Sequence, residues 1–148
     1  MMKQTIVFLA GVFIYPYSWA PGVRNAEMDE KTLCSATFRT GNIRPSSSYT
    51  EKLKAIQIKE HPEVDCSNGC EEDHVWPIEA GGDPQDSDNL SPQPYCPERT
   101  AGKTCFGARE KDKIDNYWHQ QICEGKMKID DVELQLPLWK DVYKRQNL

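Results

Sequence analysis

The sequence predicts an α+β domain, a small β-hairpin flanked by helices and stapled by disulfides. Three observations carry this. Ala80-Gly81-Gly82-Asp83-Pro84 reads as a turn between two short strands. Apolar residues recur at helical spacing in two stretches, at Tyr49, Leu53 and Ile56 and again at Ile114, Trp118 and Ile122. Six cysteines stand in a chain of 148 residues, a length that suits one domain rather than two.

Taken in order, residues 1–20 read as an export signal. Lys3 is the positive start, Ile6 to Ile14 the apolar centre, and Ser18-Trp19-Ala20 a small-x-small cleavage site. The apolar run falls well short of the roughly 20 residues that cross a bilayer. Residues 21–47 form an extended segment punctuated by Pro21, Gly22, Gly41 and Pro45, with Thr37-Phe38-Arg39-Thr40 as a short strand. The domain proper spans 48–140. Ser48 as N-cap and Glu51 three residues on fit a capping box, predicting a helix to about Lys59 whose apolar stripe belongs to the core. Pro92 to Gly107 reads as a loop, and Ala108 to about Glu124 as the best helix, ended by a left-handed Gly125. A short amphipathic piece, Ile129 to Leu138, leads to Trp139 as a packing residue. The tail 141–148 is of doubtful origin: Asp141 to Gln146 reads equally as a polar C-terminus or as a translated sequencing adapter.

Composition narrows the function. Eighteen Lys+Arg against 23 Asp+Glu give a net charge of -5, which argues against a passive polycation coating nucleic acid. There is no Gly-rich phosphate loop, heptad run or internal repeat. Glu63 to Asp88 holds nine carboxylates and no Lys or Arg; most of these are expected to be solvated. Lys103, Arg109, Lys111 and Lys113 form a basic cluster that reads either as a phosphate contact or as a solvated helix face. Trp76 and Trp118 are assigned to the core.

The cysteines are Cys34, Cys66, Cys70, Cys96, Cys105 and Cys123. In an exported chain an even number predicts disulfides, although six thiols allow about 15 pairings. The favoured set joins Cys34 to Cys123, clamping the N-terminal segment to a late helix, and pairs the other four at short range. Zinc on the cysteines is the competing reading; the Cys96-to-Cys105 gap is wide for it.

Of the three histidines, His61 sits in a charged setting after a helix. His74 follows Glu71-Glu72-Asp73 at the entrance to the turn, and His119 shares a helix face with Asn116 and Asp112. The run Glu71-Glu72-Asp73-His74-x-x-Pro77-x-Glu79-x-Gly81-Gly82 is followed by Asn89-Leu90-x-Pro92. Lys111-Asp112-Lys113-Ile114-Asp115-Asn116-Tyr117-Trp118-His119 then precedes Cys123. In this order the motifs resemble the HNH branch of the ββα-metal (His-Me finger) endonucleases, and in particular a group of small exported HNH-type proteins. Leu33-Cys34, Arg44-Pro45 and Tyr49-Thr50-x-x-Leu53-Lys54 extend the resemblance upstream, so that it covers roughly 33–139.

The resemblance implies a ββα-metal core and a metal-dependent endonuclease cleaving DNA, and RNA as a further substrate, with low sequence specificity. By the same resemblance His74 is the general base, Asp73 and His119 hold one divalent ion, and Asn89 organises the loop that aims the base. The longer gap from Asn89 to His119 leaves Asn116 or Asp115 as alternative helix ligands. Arg109 and Lys111 are the substrate-binding candidates. Mg²⁺ is the first choice of metal, with Mn²⁺, Ni²⁺ and Zn²⁺ also suited to an oxygen-plus-imidazole set. A secreted or periplasmic monomer with a nucleic-acid substrate and no stable membrane partner is expected. Rival readings are a non-catalytic secreted binding module that kept the fold, and a toxin-like effector nuclease with an immunity protein as partner.

Overall fold

The computed structural model describes residues 20–148. The expected export signal therefore lies, up to residue 19, outside the described residues. The architecture is α+β: a two-stranded antiparallel sheet with helices packed against it. Among the described residues no helix is long and apolar enough to cross a membrane.

The N-terminal segment runs beside the Gly-Gly turn. Asp83 N donates to Val23 O at 2.7 Å and Asn25 N to Gly81 O at 2.9 Å. Helix α1, Glu30–Leu33, is capped by Asp29 and buries Leu33. The strand expected at residues 37–40 does not form. No neighbouring strand offers ladder partners there, and the chain closes local bonds instead, as a 3₁₀ turn at Thr40–Asn42.

Helix α2, Ser47–Glu60, is capped by Ser46 rather than Ser48. Ser46 follows Pro45 in an extended conformation and its hydroxyl accepts from Tyr49 N, while Glu51 pairs with Lys54 instead of closing a capping box. The expected core stripe also fails, since Tyr49 and Ile56 are 41% and 54% exposed. The face that meets the hairpin is polar: Gln57 Nε2 donates to Leu90 O and Lys54 Nζ to Cys70 O. Backbone acceptors on the strands select that face over the apolar one.

Strand β1, Cys70–His74, pairs with β2, Leu90–Pro94, placing Asp73 opposite Ser91 and His74 opposite Leu90. Residues Pro92 to Pro94 thus lie in a strand, not in the loop expected of them. A two-stranded sheet has only edges, and an edge tolerates residues without an N–H. The connection needs both glycines. Gly81 has φ +90°, and a Cβ on Gly82 would lie 1.8 Å from Trp76 O.

Helix α3, Ala108–Cys123, buries Ile114, Trp118 and Ile122 and is followed by left-handed Gly125, as its spacing predicts. Beyond it come α4, Val132–Gln135, and α5, Trp139–Gln146. Trp139, Val142 and Tyr143 join the core with Trp76, Trp118 and Leu33, so two residues of the 141–148 segment pack in the core. The disulfides are Cys34–Cys123, Cys66–Cys70 and Cys96–Cys105, and no cysteine is free.

Candidate functional site

Alternation along β1 separates its carboxylates. Glu71 and Asp73 turn toward α3, where one oxygen from each and one from Asp112 lie within 4.8 Å of one another. Beneath them sits Lys111, fully buried, with Nζ 2.8 Å from Asp73 Oδ2, 3.2 Å from Asp115 Oδ1 and 2.9 Å from His74 O. Burial alone would depress the ammonium's pKa, but Asp115 and Asp73 outweigh it and hold the charge firmly on. Burial raises Asp115, with Lys111 opposing. Asp112 is pushed up to about 6, by partial burial and then by repulsion from Glu71 and Asp73. Tyr95 Oη donates to Glu71 Oε2 at 2.6 Å, and the Arg109 guanidinium lies 5.1 Å from the Tyr95 ring centre.

His74 ends β1 and is 6% exposed. Its Nε2 lies 3.0 Å from Pro84 O. A carbonyl only accepts, so in the neutral ring Nε2 carries the hydrogen and Nδ1 keeps a lone pair. Burial lowers the His74 pKa against the pull of that hydrogen bond, which favours the neutral ring. Asn89, fully buried, organises the loop that brings Pro84 into place. Its Oδ1 accepts from Val23 N and Trp76 N, and its Nδ2 donates to Trp76 O and Asp83 O.

No family model matches the chain, nor does any curated protein or solved structure.

His74 follows Asp73 in β1 and is held by the Pro84 carbonyl of the loop that Asn89 fixes, whereas His119 stands apart. His119 lies seven residues beyond Asp112, about 10 Å further along the helix axis. Its Nδ1 donates to Glu79 O at 2.7 Å, its ring stacks on Phe38, and its Nε2 faces Cys123 Sγ at 3.8 Å. Asn116 is exposed and bonded to Asp112 O, while Asp115 is spent on Lys111. Lys111 itself cannot meet a phosphate, because both its charge and its surface are used internally. Arg109 is exposed and stays available. Glu71 and Asp112 were named in the sequence reading without a ligand role, and Tyr95 was not named at all. Period-two alternation was the signal that pairs Glu71 with Asp73; nothing local announces Tyr95, which directly follows the facing strand.

Between them Glu72 turns to the other face, against α2. Both its oxygens and Gln57 Oε1 are buried without a hydrogen-bond partner among the described residues. Burial raises the Glu72 pKa to about 8, with Lys54 opposing. The folded pKa exceeds the unfolded one, so below about pH 4.5 both states hold the proton. Between there and about 8 only the folded state does, and stability falls as pH rises. Glu72→Gln should match the parent protein at pH 4 and exceed it by on the order of 1–2 kcal/mol at pH 8. Urea denaturation across that range checks this; a difference independent of pH refutes it.

Proposed function

We propose that the chain is an exported, metal-dependent nuclease that hydrolyses phosphodiester bonds, with His74 as general base and Glu71, Asp73 and Asp112 as the metal-holding group. The observation that carries this reading is a carboxylate cluster between β1 and α3 with an oriented histidine, His74, next in the chain to Asp73. Three carboxylates form an all-oxygen donor set, which fits Mg²⁺ or Mn²⁺ better than the softer Zn²⁺ or Ni²⁺. Such a cation, when bound, supplies charge to the scissile phosphate and the leaving oxygen.

The chain's own residues do the rest. His74 Nδ1 accepts the proton of the attacking water, and Pro84 O holds the ring in that tautomer. Asn89 keeps the Pro84 loop in register with the strand. Arg109, one turn before Asp112, offers the exposed cation for the substrate phosphate. The ββα arrangement of hairpin and α3, the likeness of the motifs to HNH endonucleases, and three disulfides suited to an oxidising compartment all support it.

Two observations favour a second reading, a secreted binding module without catalysis: His74 is nearly covered and Asp73 is already paired with Lys111. One experiment separates the two. The oxidised protein is incubated with supercoiled plasmid and Mg²⁺, Mn²⁺ or Zn²⁺, beside an EDTA control and His74→Ala. Nicking with Mg²⁺ or Mn²⁺ that falls by about 10²–10⁴-fold in the variant is expected. Absence of nicking by the folded protein with every metal overturns the nuclease reading in favour of the binding module.

A further inference from the structure

The three disulfides differ in surroundings. Cys34 and Cys123 are both exposed, whereas Cys66, Cys70, Cys96 and Cys105 are each partly buried. Cys123 Sγ also faces an imidazole, His119 Nε2 at 3.8 Å. The ring cannot turn away, since Nδ1 is bonded to Glu79 O and Phe38 stacks on its face at 6.4 Å between centres. In the neutral ring Nδ1 must carry the hydrogen for Glu79 O, which leaves a lone pair toward a sulfur that has no hydrogen to give. Two arrangements satisfy that contact. One is the imidazolium, donating to the disulfide sulfur. The other is a Cys123 thiol donating to Nε2 after the bridge has opened.

We propose that Cys34–Cys123 is an exchange site for a low-molecular-weight thiol, with Cys34 the attacked sulfur and His119 assisting the departure of Cys123. The incoming thiol loses its proton to water, and its thiolate attacks Cys34 Sγ. The new S–S bond forms as the Cys34–Cys123 bond breaks, and the electron pair goes to Cys123 Sγ. In the imidazolium form of His119 the Nε2 hydrogen is given to, or hydrogen-bonds, that thiolate, which leaves the neutral ring with its hydrogen on Nδ1; a better-stabilised thiolate leaves faster. A second equivalent of thiol attacking the mixed disulfide on its own sulfur frees Cys34 and is oxidised to the symmetrical disulfide.

The consequence reaches the site described above. The bridge is the covalent tie between α1 and the end of α3, spanning 89 residues. The segment it anchors is the one whose Val23 N bonds Asn89 Oδ1 and whose Val23 O accepts from Asp83 N.

The test treats the oxidised full-length protein with reduced glutathione, quenches by alkylation, and maps each cysteine by mass spectrometry over time. The expected result is that Cys34–Cys123 opens first and that glutathione is found on Cys34. In His119→Gln that opening should slow roughly five-fold, with the other two bridges unchanged. The proposal is overturned if another bridge opens first, if the adduct sits on Cys123, or if His119→Gln exchanges at the parent rate. Should His119→Gln fold poorly, all three bridges will accelerate together, and the order of opening and adduct position in the parent protein then decide alone.

Discussion

Lys111→Met is expected to destabilise the protein by about 3–5 kcal/mol, the cost of leaving buried charges without their partner. The ammonium is the shared counter-ion of Asp73 and Asp115 and also caps His74 O. Without it two carboxylates face each other in a buried site, so each is easier to protonate and harder to keep as an anion. The sign of the pH dependence follows. The variant's carboxylates gain raised folded pKa values, so its deficit shrinks as pH falls toward 4 and grows as pH rises. Adding Asp115→Asn should recover part of the loss, because one of the two orphaned charges is removed. Chemical denaturation at pH 4.5 and 7.5 checks all three statements. A loss below about 1 kcal/mol at pH 7.5 would mean that Lys111 is a solvated surface residue, which its burial contradicts.

Asn89→Ala is expected to cost about 4 kcal/mol, from four hydrogen bonds at roughly 1 kcal/mol each. All four go to backbone groups of three separate segments, at Val23, Trp76 and Asp83. Alanine leaves those groups without their side-chain partner and frees the Pro84 carbonyl that orients His74. Asn89→Asp is the sharper variant. It keeps an acceptor for Val23 N and Trp76 N but turns a second oxygen against the Trp76 and Asp83 carbonyls. It should therefore be destabilised although it is isosteric. Thermal melting of both variants, with plasmid nicking as the functional readout, checks this. An Asn89→Asp protein as stable as its parent would show that the amide nitrogen carries no weight in the loop.

How much of this was legible beforehand differs by element. The Ala108-to-Glu124 helix was readable because Ile114, Trp118 and Ile122 repeat at 3.6-residue spacing and a glycine stands where the chain turns left-handed. The same argument misled at Tyr49, Leu53 and Ile56. There the spacing was right for a helix, but the strands offered carbonyls, and Gln57 and Lys54 were drawn to them. The metal and the catalytic activity were read from motif order, and the export signal from the apolar run after Lys3.

Local patterning was enough for the class of the chain, its two long helices, the Gly-Gly turn and the Cys34–Cys123 bridge, with the other four cysteines paired at short range. These depend on spacing along the chain and on residue chemistry, both of which are written in the sequence. Two other features were decided only by folding: the isolation of His119 from Asp73, and the burial of Lys111 between two carboxylates. Glu71 with Tyr95, and the α5 residues Val142 and Tyr143 in the core, belong with them. Each depends on where one element lies against another. That is set by the packing of Trp76, Trp118 and Trp139 in a shared core, and no one-dimensional periodicity encodes it.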